Sequence, residues 1–298
     1  MAAAASGKWR ERIDLYRRLM RLDKPIGILL LLWPTLWGLW LAARGQPDLR
    51  VVAIFVLGTV LMRSAGCVIN DLADRDFDPH VARTRHRPLA AGRVSPREAL
   101  LLFAGLVGCA ALLVLPLRSW LMAGLCAAAL ALAVSYPFTK RFLAVPQAYL
   151  GIAFGFGIPL AYAAQLGRVP PEAWWLLLGN VFWAIAYDTE YAMVDRADDL
   201  KIGIRTSAIT FGRADVAAVV CCYVLALLIV GLVGQRAGLG QFFGLGLLGA
   251  AAIAVYHYRL IRAREPDRCF KAFLHNNWLG ASVFAGIALD YLFAKGFS

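Results

Sequence analysis

Asn70-Asp71-Leu72-Ala73-Asp74-Arg75-Asp76-Phe77-Asp78 closes the apolar run 51–69 with four carboxylates. Continued as helix to Asp78, Asn70, Asp74 and Asp78 fall at i, i+4 and i+8 and share one face. Like charges at that spacing repel by a few tenths of a kcal/mol per pair, so the face is expected to hold a cation, a divalent metal first of all. The run that precedes it decides the fold. Crossing about 30 Å of hydrocarbon takes about 20 apolar residues, and the chain offers nine such runs, 26–43, 51–69, 99–117, 119–138, 142–165, 172–191, 216–234, 241–258 and 276–294. Its 298 residues are 60% hydrophobic with a mean hydropathy of +0.63, against the 45–50% or so of a soluble domain. The expectation is an all-α polytopic membrane protein with nine transmembrane helices: an amphipathic surface segment over 1–25, then a single membrane domain over 26–298.

The net charge of +12 does not mark a nucleic-acid binder, because the basic residues are spread over connections between runs rather than gathered in one polar domain. They follow topology instead. The leader holds Lys8, Arg10, Arg12, Arg17, Arg18, Arg21 and Lys24, and the connections after even-numbered runs hold the remaining clusters, such as Arg83, Arg85 and Arg87 or Arg196, Lys201 and Arg205. Odd connections are poor in them. The positive-inside rule puts the N-terminus and both acidic clusters in the cytoplasm and, with nine spans, the C-terminus outside. The six cysteines show no C-x-x-C pairing and read as small hydrophobes. No cleavable signal is evident, since the first apolar run follows a basic stretch and is long enough to span.

Arg63 lies well inside the second run, where an unpaired charge costs several kcal/mol, so it is expected to face the bundle. The charged turn Arg21-Leu22-Asp23-Lys24-Pro25 suits a membrane anchor or a ligand contact equally. The polar connection 79–92, with Arg83 and Arg87, is either a positive-inside tether or a basic lid able to bind an anion such as diphosphate. Run six ends in a second acidic stretch, where Asp188, Tyr191, Asp195 and Asp199 step by three or four along one helical face. Asp74 and Asp195, and likewise Asp78 and Asp199, are separated by the same 121 positions. Each cluster ends an even run, is followed by an Arg-Thr pair (Arg83-Thr84, Arg205-Thr206), and belongs to a connection closed by Gly-Arg (Gly92-Arg93, Gly212-Arg213). The halves read as two parallel repeats, which place a shared site at their interface.

Two acidic helix ends ringed by cations suit a ligand that is both cationic and anionic. Mg²⁺ uses one or two carboxylates plus substrate phosphates, and Arg and Lys take the other phosphate oxygens. With an apolar bundle behind the site, the ligand expected is a polyprenyl diphosphate. Departure of diphosphate leaves an allylic cation that aromatic faces stabilise, with Phe154, Phe156, Trp183, Tyr187 and Tyr191 as candidates. Intramembrane charge and repeated halves also suit a cation-coupled transporter.

Asn70-Asp71-x-x-Asp74-x-x-x-Asp78 and Asp195-x-x-x-Asp199 resemble the two acidic motifs of the UbiA superfamily of intramembrane aromatic prenyltransferases. The likeness extends through Leu22-Asp23-Lys24-Pro25-Ile26-Gly27, Arg83-Thr84-x-x-Arg87-Pro88-Leu89, Tyr136-Pro137-Phe138-x-Lys140-Arg141, Tyr187-Asp188-Thr189 and Tyr191-Ala192-Met193-Val194-Asp195-Arg196. As a set these are most similar to the branch that acts on 4-hydroxybenzoate in ubiquinone synthesis. The resemblance implies nine helices around a central cavity with a cytoplasmic cap, a bacterial-type inner (plasma) membrane, Mg²⁺ dependence, and transfer of a polyprenyl group to the ring carbon meta to the carboxylate of 4-hydroxybenzoate. Haem and dihydroxynaphthoate are acceptors of neighbouring branches. It implies that Asn70, Asp71, Asp74, Asp78, Asp195 and Asp199 hold the metal diphosphate, with Asp74, Asp78, Asp195 and Asp199 catalytic. Arg141 is carried over to the benzoate carboxylate, and Lys140, Arg83, Arg87 and Lys201 to the diphosphate. Asp188 and Tyr191 are set on the substrate side by their place on the second acidic face, and Asp188 is our own choice, outside the resemblance, for the residue that assists loss of the ring proton. Ala197 stands where a further acid is expected, with the Asp195/Asp199 pair intact.

Overall fold

The computed structural model describes residues 2–81 and 83–293, with side chains from residue 9 onward, Ile202 excepted. Lys8's side chain and the last residue of the run 276–294 fall outside that description. The described residues form helices joined by turns, with no strand among them, the α-helices in the order α1 (Ala2–Leu19), α2 (Ile26–Ala42), α3 (Leu49–Ala73), α4 (Pro96–Val114), α5 (Trp120–Thr139), α6 (Pro146–Gly155), α7 (Gly157–Leu166), α8 (Pro171–Ile202), α9 (Ser207–Phe211), α10 (Asp215–Arg236), α11 (Gln241–Ile261) and α12 (Pro266–Phe293). Each of the nine apolar runs lies on one of these helices or on a pair of them. Six elements are long and apolar enough to cross a membrane, 49–73, 96–117, 120–139, 146–166, 207–236 and 241–261, and Ile26–Ala42 is a shorter apolar helix. The helices α8 and α12 are long but diluted by polar groups, Asn180, Asp188 and Glu190 on one and His275, Asn276 and Asn277 on the other.

Large apolar side chains crowd the outside. Leu101, Leu112, Leu228, Leu232, Leu245 and Leu248 are all more than half exposed, a distribution that water would penalise and lipid does not. Inside, α8 is the hub, packed against α6, α7, α10 and α12, while α2 packs on α7 and α12. The approach of α6 to α8 depends on missing side chains: a Cβ at Gly151 would stand 2.8 Å from Val181 Cα, and one at Gly155 2.4 Å from Asn180 Nδ2. Asn180 uses that gap to donate to the Gly151 carbonyl at 2.9 Å. The break between α6 and α7 falls at Phe156. Pro159 supplies no N–H for the Gly155 carbonyl, which would be its partner in a continuous helix.

The two acidic stretches end differently. The helix α3 stops at Ala73, with Asp74 as its C-cap, so the expected continuation to Asp78 is corrected: a turn intervenes, and Asp78 opens a short 3-10 turn, Asp78–His80. Asp78 N–H still donates to the Asp74 carbonyl at 2.8 Å, which keeps the two carboxylates close in the chain. Helix α8 instead runs to Ile202, past its whole acidic stretch, and is closed by Gly203 in the left-handed region (φ 73), a cap that glycine adopts without steric cost. At the N-terminus α1 docks rather than floats. Leu15 and Leu19 bury against Val68, Leu89, Val94 and Ala99, Arg12 pairs with Glu98 and Arg93 with Glu11, while Trp9 and Ile13 remain exposed.

Candidate active site

A cavity of about 1500 Å³ runs from the cap into the bundle. Its polar end is lined by Asn70, Asp71, Asp74 and Asp78 from the first stretch and by Asp188, Asp195 and Asp199 from the second. Its apolar end is lined by α4 and α5, through residues such as Val107, Ala111, Val114, Met122, Ala127 and Leu130. The repeat spacing therefore brings both stretches to one chamber, and the 79–92 connection lies over them, its Thr84 hydroxyl donating to the Asp78 carbonyl at 2.8 Å.

Cations of the cap hold the acids. Lys140 Nζ sits 3.0 Å from Asp74 Oδ2 and 3.3 Å from Asn70 Oδ1, and Asn70 Nδ2 donates to Asp74 at 3.1 Å. Arg87 Nη1 bridges Asp71 at 3.1 Å and Asp78 at 2.8 Å. Arg83 reaches across to the second stretch, donating from Nε to Asp195 Oδ1 at 3.0 Å while its guanidinium lies 4.6 Å from the centre of the Tyr191 ring. Arg21 donates to both oxygens of Asp71 at 2.9 and 3.0 Å. Asp71 is thus almost wholly buried between two guanidiniums, a structural ion pair as it stands. The turn 21–25 lines the cavity with Arg21, Asp23 and Lys24, so it belongs to the site.

Electrostatics follow these contacts. Burial raises the Asp78 carboxyl, aided by Asp71 and Asp74 and opposed by Arg87. On Lys140 burial acts downward, yet Asp74 and Tyr136 together outweigh it and the ammonium is held above its ordinary value. Asp199, beyond the apolar run of α8, is pushed up to about 7, first by burial and then by Asp195, against Lys140 and Arg83. Folded Asp199 therefore keeps a proton that the unfolded chain gives up near pH 4. That makes the metal-free protein less stable as pH rises from about 4 to about 7, because the unfolded state then binds fewer protons. In chelator, the thermal midpoint is expected to fall between about pH 4 and about pH 7, and Asp199→Asn to flatten that part of the profile; an unchanged slope would contradict the assignment.

The donor set suits a hard divalent cation: Asp74, Asp78, Asp195 and Asp199 offer carboxylate oxygens and Asn70 an amide oxygen. Among the described residues no three of His, Cys, Asp or Glu come together as a closed metal cage. Carboxylates on facing walls fit an ion whose remaining ligands are phosphate oxygens and water, the usual coordination of Mg²⁺.

Two residues expected in the site are elsewhere. Arg141 is exposed, donates to the Ala73 carbonyl at 3.2 Å and stacks over Phe77 and Phe138; it staples α5 to the end of α3 and does not line the cavity. Lys201 points to solvent and pairs with Asp198 at 3.2 Å. Of the aromatic candidates, Phe154, Phe156, Tyr187 and Tyr191 line the cavity, whereas Trp183 is buried behind it, stacked on Trp37 and edge-on to Tyr187.

A cation deep in the cavity that the motifs did not assign is Arg63. It lines the cavity, its guanidinium 5.4 Å from the Phe154 ring centre, and its buried Nε has no hydrogen-bond partner. It lies on the backbone of Gly27, where a Cβ would come within 2.3 Å of Nε. Tyr187 Oη lines the same cavity and is likewise buried without a partner. The signal in the sequence was a charge in mid-run.

Residues 31–279 match the UbiA prenyltransferase family, and the chain belongs to that family. The 4-hydroxybenzoate octaprenyltransferase of Azoarcus sp. (strain BH72) is 69% identical over 282 residues, 95% of this chain and 98% of the relative. That of Thiobacillus denitrificans is 66% identical over 286 residues, 96% and 97%. Among solved structures, the apo UbiA homolog from Aeropyrum pernix K1 superposes with a TM-score of 0.77 at 25% identity, covering 88% of this chain and 97% of that one. A UbiA homolog from Archaeoglobus fulgidus, solved with GPP and Mg²⁺, shares the fold with a TM-score of 0.66 at 18% identity over 92% and 99%.

Proposed function

We propose that this chain transfers a polyprenyl group from polyprenyl diphosphate to the ring carbon meta to the carboxylate of 4-hydroxybenzoate, with Mg²⁺ as the metal. The observation that carries this reading is a single cavity with facing acidic stretches at its polar end, an unpartnered guanidinium deeper in, and apolar walls beyond. Relatives of 61–69% identity named as 4-hydroxybenzoate octaprenyltransferases support it.

Asn70, Asp74, Asp78, Asp195 and Asp199 would hold the metal diphosphate. Mg²⁺, when bound, supplies Lewis-acid neutralisation of the departing diphosphate. Lys140, Arg83 and Arg87, which pair with Asp74, Asp195, Asp71 and Asp78, would be the cations within reach of the phosphate oxygens. The faces of Phe154, Tyr187 and Tyr191 stabilise the allylic cation, and the apolar lining beyond them offers no water-holding groups to quench it. Arg63 takes the acceptor carboxylate, the role first expected of Arg141, and Asp188 receives the ring proton once the new carbon–carbon bond has formed. The topology proposed with this chemistry is nine crossings in a bacterial-type inner membrane, N-terminus and cap in the cytoplasm and the far end outside, α1 resting on the cytoplasmic surface.

Membranes containing the protein are expected to yield polyprenyl-4-hydroxybenzoate in Mg²⁺ and none in chelator, read by mass analysis of the product. Undiminished turnover in chelator, or preference for another aromatic acceptor in competition, would overturn the reading.

A further inference from the structure

Behind the aromatic wall lies a second polar cluster that the chemistry above does not use. It joins four helices: Glu190 and Trp183 on α8, Tyr223 on α10, His257 on α11, and His275 and Asn276 on α12. Glu190, His257 and Asn276 are fully buried, and Tyr223 nearly so. Tyr223 Oη is 2.9 Å from each of three atoms, Glu190 Oε1, Asn276 Oδ1 and His257 Nδ1. A phenol has one proton to give and two lone pairs. The Asn276 amide cannot be turned over: Trp183 Nε1–H, which only donates, points at Oδ1 from 2.9 Å, and Nδ2 donates to the Ala272 carbonyl at 3.0 Å and to Glu190 Oε2 at 2.8 Å. An amide oxygen cannot supply a proton, so the contact between Asn276 Oδ1 and Tyr223 Oη consumes the only proton that the phenol has. The contact between Tyr223 Oη and Glu190 Oε1 is then a hydrogen bond only if the proton comes from Glu190. His257 completes the set by donating Nδ1–H to Tyr223 and accepting at Nε2 from His275 Nδ1, 3.1 Å away.

We infer that Glu190 is a protonated carboxylic acid, a buried donor whose role is to fix Asn276 and, through Trp183, the aromatic wall that carries Tyr187. It is a positioning residue. A carboxylate there would leave two oxygens facing each other at 2.9 Å with no proton between them, in a place where buried polar groups without partners are costly. With the acid neutral, both Glu190 oxygens, both lone pairs of Tyr223 and of Asn276 Oδ1, and both His257 nitrogens are used. Trp183 is held by this network on one side and by the Trp37 stack, at 5.3 Å, on the other. Its edge contact with Tyr187, at 5.4 Å, passes that rigidity to the cavity. The catalytic part of this inference rests on the proposed prenyl transfer; the protonation state does not.

Glu190→Gln, whose amide keeps one donor and one acceptor, and Glu190→Ala, which keeps neither, separate the possibilities. The infrared difference between the wild type and Glu190→Gln is expected to show a protonated carboxyl C=O band that persists at neutral pH; its absence would overturn the inference whatever the substrate proves to be. Glu190→Gln should retain kcat and KM within about twofold, and Glu190→Ala should lose roughly tenfold or more in kcat with the KM for polyprenyl diphosphate unchanged, since misplacing a positioned group costs turnover first. A tenfold loss in Glu190→Gln at unchanged thermal midpoint would mean that an ionised carboxylate is required, and would also overturn it. Wild-type protein without prenyl transfer, but with the band present, would sink the proposed reaction and leave the assignment of Glu190 standing.

Discussion

Asp74→Asn and Asp199→Asn are each expected to lower kcat on the order of a thousandfold, and the double variant to fall no further than the worse single one. The magnitude follows from removing a ligand of a metal that neutralises several kcal/mol of developing charge, at about 1.4 kcal/mol per tenfold in rate. Non-additivity follows from the geometry. The two residues stand on different helices, one at the end of α3 and one near the end of α8, and both line the same polar end. If the two walls clamp one metal diphosphate, either loss opens the clamp, and residues acting as a unit do not sum. Steady-state rates of the three variants in saturating Mg²⁺ test this. Two independent sites would instead multiply their losses.

Arg63→Ala is expected to reduce kcat/KM for 4-hydroxybenzoate by roughly 100-fold, about 3 kcal/mol, as befits breaking one partner of a buried charge pair. The KM for polyprenyl diphosphate should hardly move, because Arg63 lies away from the cap cations that serve the phosphates. Arg141→Ala, at the exposed staple between α3 and α5, should change kcat/KM for the aromatic acid by far less. A benzoate analogue without the carboxylate should lose affinity for the wild type and be indifferent to Arg63→Ala. Comparable losses for both arginine variants would restore Arg141 to the site.

These expectations differ from a motif reading in ways that trace to particular residues. The acidic stretches were legible because charge at the end of an apolar run is costly and their common spacing is arithmetic; the cavity that unites them follows. Lys140 and Arg141 show where sequence stops helping. Adjacent residues at a helix end point about 100° apart, so one reaches Asp74 and the other the Ala73 carbonyl, and nothing in the local composition says which. Lys201 had the same ambiguity at the end of α8. Arg63 announced itself as a charge out of place, but its seat depends on Gly27 from another helix, a contact with no local signature. The ending of α3 at Ala73 was hidden because Asp-Arg-Asp-Phe-Asp is compatible with helix or turn; the 3-10 turn at Asp78–His80 is set by the cap that Thr84 and Arg87 tie down. Least legible was the Glu190 cluster, whose members come from four helices and meet only in the folded bundle.

The central claim is that both acidic walls hold one metal diphosphate. Electron paramagnetic resonance of Mn²⁺, standing in for Mg²⁺, measures it directly when titrated into the protein with and without a non-reacting polyprenyl diphosphate analogue. Tight Mn²⁺ uptake is predicted only with the analogue present, and is predicted to be lost equally in Asp74→Asn and Asp199→Asn. Full uptake in either variant, or tight uptake without the diphosphate, would contradict the account.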